Sequence, residues 1–386
     1  MSFSYAKLSV ALFMASSVAT VQAQPVPSLP KIKFVSYNVE NMFDSAHDAD
    51  ATLPDGKEDW TFLPLNHPLK EKCLDMQQGF YRQQCEENNW TSQKATWKVK
   101  NAAKVLKLTS SPDIISLAEI ENSNVVSALA TELGYAGSYI VSNSPDHRGI
   151  DVAFIFNKKK LKKLSSAEIV LQGQGLVKPT RNILRAEFGI LNSVGALIPN
   201  TRLFVYANHW PSQAAPAAAR VVAAKALKAD IELMRSAVTG TLYFAAMGDF
   251  NTVPADNPHP FSTVITDKQS WPAALVDAEE WARSKVPALS NTLLPGSYWF
   301  SKDNNWSKLD HIFVSQNLVD AQGTDFAPET FSILKNNSVM QTMVPPNGPF
   351  QGQNIFIPQR FNHMATSQAT MGYSDHLPVS VDLVVR

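Results

Sequence analysis

The stretch Leu242-Tyr243-Phe244-Ala245-Ala246-Met247-Gly248-Asp249-Phe250-Asn251 decides how this chain is read. An apolar run rich in strand formers stops at Gly248. A carboxylate and an amide follow two residues apart, and Thr252-Val253-Pro254 then breaks any regular continuation. That is the pattern of a buried strand delivering Asp249 and Asn251 to its C-terminal mouth. In layered α/β proteins that mouth is where sites are commonly built. Taken alone, Gly-Asp at a strand end is also ordinary turn chemistry, so its meaning depends on what other segments bring to the same place.

Working outward, residues 32–37 alternate like a strand and end in Asn38-Val39-Glu40-Asn41. Residues 113–118 end in Glu119-Ile120-Glu121-Asn122, and residues 203–207 in Asn208-His209-Trp210-Pro211-Ser212. Leu309-Asp310 opens a further strand, and Ser374-Asp375-His376-Leu377-Pro378 runs into the last, at 379–385. Strands are also expected at 139–141, 151–156 and 185–190. Helical spacing appears at 97–108, 123–133 and, most strongly, 216–238, with Ala219, Val222, Ala223, Ala226, Leu227, Ile231 and Met234 on one face. Residues 44–95 read as a surface excursion and 321–370 as a long loop insertion, since neither has a clear period. Strands that alternate in both halves, with few helices, argue for an α/β fold of two packed sheets with outer helices.

At 386 residues and 45% hydrophobic, the chain can bury a large core, and 18% charged residues argue against overall disorder. Thirty-four basic residues balance thirty-four acidic ones, which excludes a nucleic-acid binder working by bulk electrostatics. Any site for a polyanion must be local or metal-assisted. Lys158-Lys159-Lys160-Leu161-Lys162-Lys163 is the one dense basic run and reads as a solvated turn after a strand, with a nucleic-acid patch as the alternative. One lysine, a short apolar core and small residues before Ala23 make residues 1–23 a secretory signal peptide, followed by a linker at 24–30 and one domain over 31–386. The chain is thus expected to be secreted or periplasmic, monomeric, and without a transmembrane segment. Cys73 and Cys85 are the only cysteines; in an exported chain they suggest a disulfide, with two free thiols as the alternative.

Six strands or strand ends therefore carry Asn38, Glu119, His209, Asp249 with Asn251, Asp310, and Asp375 with His376. Carboxylates and amide oxygens are the hard donors that Mg²⁺ or Ca²⁺ prefers. The spacing of a zinc site is absent, as is the Gly-x-Ser-x-Gly elbow of a serine hydrolase.

These motifs, with Arg148-Gly149-Ile150-Asp151, occur in the order of the endonuclease/exonuclease/phosphatase superfamily. The chain resembles an exported bacterial member related to pancreatic-type deoxyribonuclease. The resemblance implies a four-layer α/β/β/α sandwich of mainly antiparallel sheets and Mg²⁺-dependent phosphoester hydrolysis, with Mn²⁺ or Ca²⁺ as substitutes. It implies Glu119 as principal metal ligand, helped by Asn38 and Asp375. His376, polarised by Asp310, would activate water or stabilise the attacked phosphate. His209, held by Asp151, would protonate the leaving oxygen or hold the scissile phosphate. Asp249 and Asn251 would orient the nucleophile or hold a second metal, and Arg181 and Asn208 would bind substrate phosphate.

The same superfamily hydrolyses inositol phosphates and sphingomyelin. Export and aromatic loops (Tyr298, Trp299, Trp306) favour a nucleic-acid substrate, DNA or RNA, because aromatic rings stack on bases. Val253 stands where the inositol phosphatases usually bring a basic residue. A secreted phospholipase C type of enzyme remains the alternative, and a non-catalytic binding module the alternative of another class.

Overall fold

In the strand Thr201–His209 the side chains sort by period two. Leu203, Val205 and Ala207 join one buried cluster, while Phe204 and Tyr206 join another. The neighbouring strand Thr241–Asp249 repeats this, with Tyr243, Ala245 and Met247 on the first side and Phe244 and Ala246 on the second. A strand apolar on both sides must be covered on both sides, and that requirement sets the layering.

The computed structural model describes Met1 and residues 30–386, apart from 51, 52, 54, 55 and 177. The expected signal peptide, Met1 aside, and linker residues 24–29 lie outside the described residues. In chain order the elements are β1 (Lys31–Met42), α1 (Phe80–Glu87), α2 (Ser92–Lys107), β2 (Ile114–Ile120), α3 (Ser123–Glu132), β3 (Tyr139–Val141) and β4 (Asp151–Phe156). Then come β5 (Leu161–Ile169), β6 (Ile183–Ile190), β7 (Thr201–His209), α4 (Ala217–Ala237), β8 (Thr241–Asp249), β9 (Val276–Asp277), α5 (Ala278–Lys285) and α6 (Leu289–Thr292). The last are β10 (Tyr298–Phe300), β11 (Asn305–Ser307), β12 (Asp310–Val314), β13 (Asp325–Ile333), β14 (Met340–Met343), β15 (Ile355–Pro358) and β16 (Val379–Val384).

Two six-stranded sheets result, ordered β13-β16-β1-β2-β4-β3 and β5-β6-β7-β8-β12-β9. Each is antiparallel except for one central parallel pair, β1 with β2 and β7 with β8. The sheets face each other across one core that includes Ala118 and Phe154 from the first and Val205 and Met247 from the second. Helices α2 and α3 pack on the first sheet and α4 on the second. This is the expected α/β/β/α sandwich.

Three expectations about connecting segments change. The excursion at 44–95 carries short 3₁₀ turns, α1 and the start of α2, whose N-cap Thr91 accepts from the Lys94 N–H. Cys73 and Cys85 within it form a disulfide. The insertion at 321–370 contributes β13, the edge of the first sheet, and the β14–β15 hairpin. The two segments also pack on each other, because Trp90 and Ala95 share a buried cluster with Phe361, Ala365 and Met371. A contact between segments so distant in sequence leaves no periodic trace in either. The basic run divides between a turn and β5, where Lys162 and Lys163 stay exposed and Lys160 pairs with Asp113.

Candidate active site

The row Leu203, Val205, Ala207 continues to His209, and the row Tyr243, Ala245, Met247 continues to Asp249. His209 and Asp249 are register partners in the parallel β7–β8 pair. Asp310 begins β12 opposite Asp249. All three side chains therefore emerge on the inter-sheet side at one end of the second sheet. From the first sheet, Asn38 lies beside Ala118 in register. Alternation alone would set Glu119 opposite to Ser116 and Ala118. A register shift and a φ of +62° at Glu119 break the pleat there and turn the carboxylate to the cleft. Glu40, Asn41 and Asn251 also have positive φ, so left-handed backbone clusters around this mouth.

The groups converge closely. Asn38 Nδ2 donates to Glu119 Oε1 at 3.1 Å and to Asp249 Oδ2 at 3.0 Å. His209 Nε2 lies 3.8 Å from Glu119 Oε1 and 3.9 Å from Asp249 Oδ2. His376 Nε2 lies 3.7 Å from the same Asp249 oxygen. Its Nδ1 is 2.7 Å from Asp310 Oδ2, an oxygen that also accepts from Ser297 Oγ. Asn251 is fixed by its N–H to Asp249 Oδ1 and by its amide to the Trp210 carbonyl. Asp375 is held by its own N–H donating to Glu40 Oε2.

The two buried histidines are driven in opposite directions. Burial, aided by the charges of Arg181 and Arg148, holds His209 well below the usual imidazole range. Burial opposes the proton on His376 too, but Asp310, Asp249 and Asp375 outweigh it and hold this ring well above that range. Burial also raises the Asp249 and Asp375 carboxyls, and Glu40 adds to the effect on Asp375. Carboxylates so crowded, with one partly open oxygen pair on Glu119, fit a hard divalent cation. Among the described residues no group of three or more His, Cys, Asp or Glu side chains is placed to hold a metal ion by itself. Mg²⁺ held through one or two carboxylates, water and substrate oxygens requires none.

Four expected assignments change. Asp151 does not hold His209: its carboxylate accepts from Ser142 Oγ and the Ser144 N–H, while His209 Nδ1 is buried without a partner. Asn208 continues the Phe204–Tyr206 row, so it points away from the cleft. Its amide is spent on the Tyr206 carbonyl and the Trp210 indole N–H. Arg181 donates to the His209 and Trp210 carbonyls and to Asp146, so it props the floor of the site from behind. Asn38 has its amide oxygen engaged by the Glu40 N–H, and it ties Glu119 to Asp249 rather than presenting that oxygen outward. Of the three aromatics, Trp299 and Trp306 are buried against each other, and Tyr298 alone reaches the site, with its ring 4.7 Å from His376.

Two contributors were not anticipated. Glu40 accepts from Arg360 Nε and the Phe361 N–H, and Arg360 also lies 3.4 Å from Asp375. Glu40 sat inside the Asn38–Asn41 motif without an assigned role, and nothing around Arg360 marked it.

Gly248 explains its place in the opening stretch. Its φ is +146°, and a Cβ there would meet the Asn208 carbonyl oxygen at 2.0 Å. Gly248→Ala is expected to lower the unfolding free energy by more than about 1 kcal/mol, because backbone rather than a flexible side chain must yield. Denaturant unfolding of the two proteins measures this.

A model of the Endonuclease/Exonuclease/phosphatase family matches residues 76–385. The chain belongs to this family, whose members are phosphoester hydrolases. Solved structures agree on the fold. A family protein from Bacteroides vulgatus aligns with TM-score 0.51 and 14% identity, over 92% of this chain and 100% of that one. One from Bacteroides thetaiotaomicron aligns with TM-score 0.50 and 13% identity, over 93% and 99%. No curated protein matches this chain in sequence.

Proposed function

We propose that this chain is an exported, divalent-cation-dependent phosphodiesterase that hydrolyses nucleic acid, DNA foremost. One observation carries the catalytic reading: two buried imidazoles reach within 4 Å of a single Asp249 oxygen while their surroundings drive their protonation apart. Titratable pairs pushed apart in this way are how acid and base duties are divided in one site. His376, held protonated, is suited to give a hydrogen bond or a proton to a phosphate oxygen. His209, held neutral, is suited to accept a proton from water or to receive a hydrogen bond. Asp249 lies between them and, with Asn251, orients the attacking water. Glu119 would hold a divalent cation, with Asp375 beside it, and that cation supplies charge neutralisation on the nonbridging oxygens. Arg181 serves by fixing the His209–Trp210 backbone, and Asn208 by holding the Trp210 indole.

Export is supported by the signal-peptide pattern of residues 1–23 and by the disulfide, which suits an oxidising compartment. Among the described residues no helix is long and apolar enough to cross a membrane. One purified sample offered plasmid DNA, RNA and sphingomyelin, each with Mg²⁺, Ca²⁺ or EDTA, tests the proposal. Nucleic-acid cleavage with Mg²⁺ and none with EDTA is the expected result. Hydrolysis of the lipid alone would overturn the substrate, and full activity in EDTA would overturn the cation.

A further inference from the structure

We infer that the cavity between the disulfide-tied segment and the loop preceding β6 is a substrate subsite. It would take the planar base of a nucleotide adjoining the scissile phosphodiester, an inference that rests on the nuclease reading above. The cavity measures about 670 Å³, within the usual range for a small-ligand site. It adjoins the candidate active site through two residues of its wall. Arg181, which lines it, donates to the carbonyl of His209. Asn41, also on its wall, donates its N–H to Glu119 Oε2.

Its lining suits a base in three ways. Trp60 and Phe62 bring aromatic surface, and Tyr81 stands at the rim with 75% of its surface exposed. Successive bases stack on such rings. Two polar atoms of the wall are buried without a partner, the Trp60 indole Nε1 and the His363 Nε2. Buried polar groups in folded proteins are nearly always paired. Neither atom is open to solvent as the side chains stand, so a ligand ring edge carrying acceptors and donors would reach them by a turn of the Trp60 or His363 ring, a turn from which a hydrocarbon tail would gain nothing. Burial keeps His363 neutral, its pKa lowered to about 4, so its nitrogen can take either role. Finally, Arg148, Lys178 and Arg181 line the cavity with Glu58, and once Asp146, which pairs with both arginines, is also set against them, one positive charge remains. A strand of phosphates leading into the site would meet locally positive walls.

The test uses the full chain and short single-stranded DNA with one cleavable phosphodiester, the others blocked. The nucleotide on its 5′ or 3′ side carries either a base or none. Wild-type protein should cleave one base-bearing substrate about tenfold more efficiently than its abasic counterpart, the scale of one stacked base. Trp60→Phe, which keeps one six-membered ring and removes the pyrrole half of the indole with its N–H, and Tyr81→Ala, at an exposed position, should each shrink that preference. Equal cleavage with and without the base on both sides, or a preference unchanged in both variants, would overturn the subsite while leaving the nuclease reading intact. Sphingomyelin or bis(p-nitrophenyl) phosphate hydrolysed with neither oligonucleotide touched would instead overturn the nuclease reading, and the subsite with it.

Discussion

Replacing His209 with alanine is expected to reduce turnover by about two to four orders of magnitude, the range a positioned proton-transfer group contributes. The fold should tolerate the change. Its Nδ1 already lacks a partner and its Nε2 makes no hydrogen bond, since the nearest carboxylate oxygen is 3.8 Å away. A side chain so buried yet so poorly bonded does little for the surrounding structure, so its loss should appear in kcat far more than in Tm. Glu119→Ala should act similarly, with an added dependence on Mg²⁺ concentration. Steady-state kinetics beside thermal melting decide the matter. Activity near wild type in either variant would remove that residue from the catalytic assignment.

Asp256→Ala is expected to be the most damaging change to stability, at about 3–5 kcal/mol, the cost of leaving a buried charge without its partner. Arg220 is 1% exposed on the inner face of α4. Its Nε and Nη2 form a fork on the Asp256 carboxylate at 2.8 and 2.5 Å. Its Nη1 meanwhile donates to the carbonyls of Pro211, Ser212 and Ala215. Those carbonyls belong to the loop that leaves His209, so the ion pair also holds the approach to the site. Without Asp256 the guanidinium would keep three backbone partners and lose its counter-charge. Chemical denaturation gives the loss. Joint replacement by Arg220→Met and Asp256→Leu should recover much of it, since apolar groups of similar volume often replace a buried pair without penalty. A loss below about 1 kcal/mol in Asp256→Ala would show that water reaches the pair.

Arg220 also shows where reading the sequence falls short. The spacing of residues 216–238 predicts a helix and an apolar face, and α4 forms with Ala219, Ala223, Leu227 and Ile231 buried as expected. An arginine inside that face reads as an interruption, yet Arg220 and Ala224 are buried with it. Its partner lies 36 residues away, in a loop with no periodicity to announce it. Val222, Ala226 and Met234, expected on the same face, are only partly covered.

What the sequence determined by itself was local. Alternation and short apolar runs placed nine of the twelve strands of the two sheets, missing β5, β9 and β13, and polar residues at strand ends marked Asn38, Glu119, His209, Asp249, Asn251, Asp310 and His376, all of which the fold gathers at one mouth. Both signals arise within a few residues of backbone, where pleat and turn geometry dictate direction. Only the tertiary structure decided which group each side chain meets. It gave Asp151 to Ser142 and Ser144 rather than to His209, and spent the Asn208 amide inside the sheet. It joined Glu40 to Arg360 across 320 residues. It also folded the segments around Trp60 and His363 onto one cavity beside the site. Such pairings depend on three-dimensional closure of chain segments that carry no record of one another, so no local pattern could have announced them.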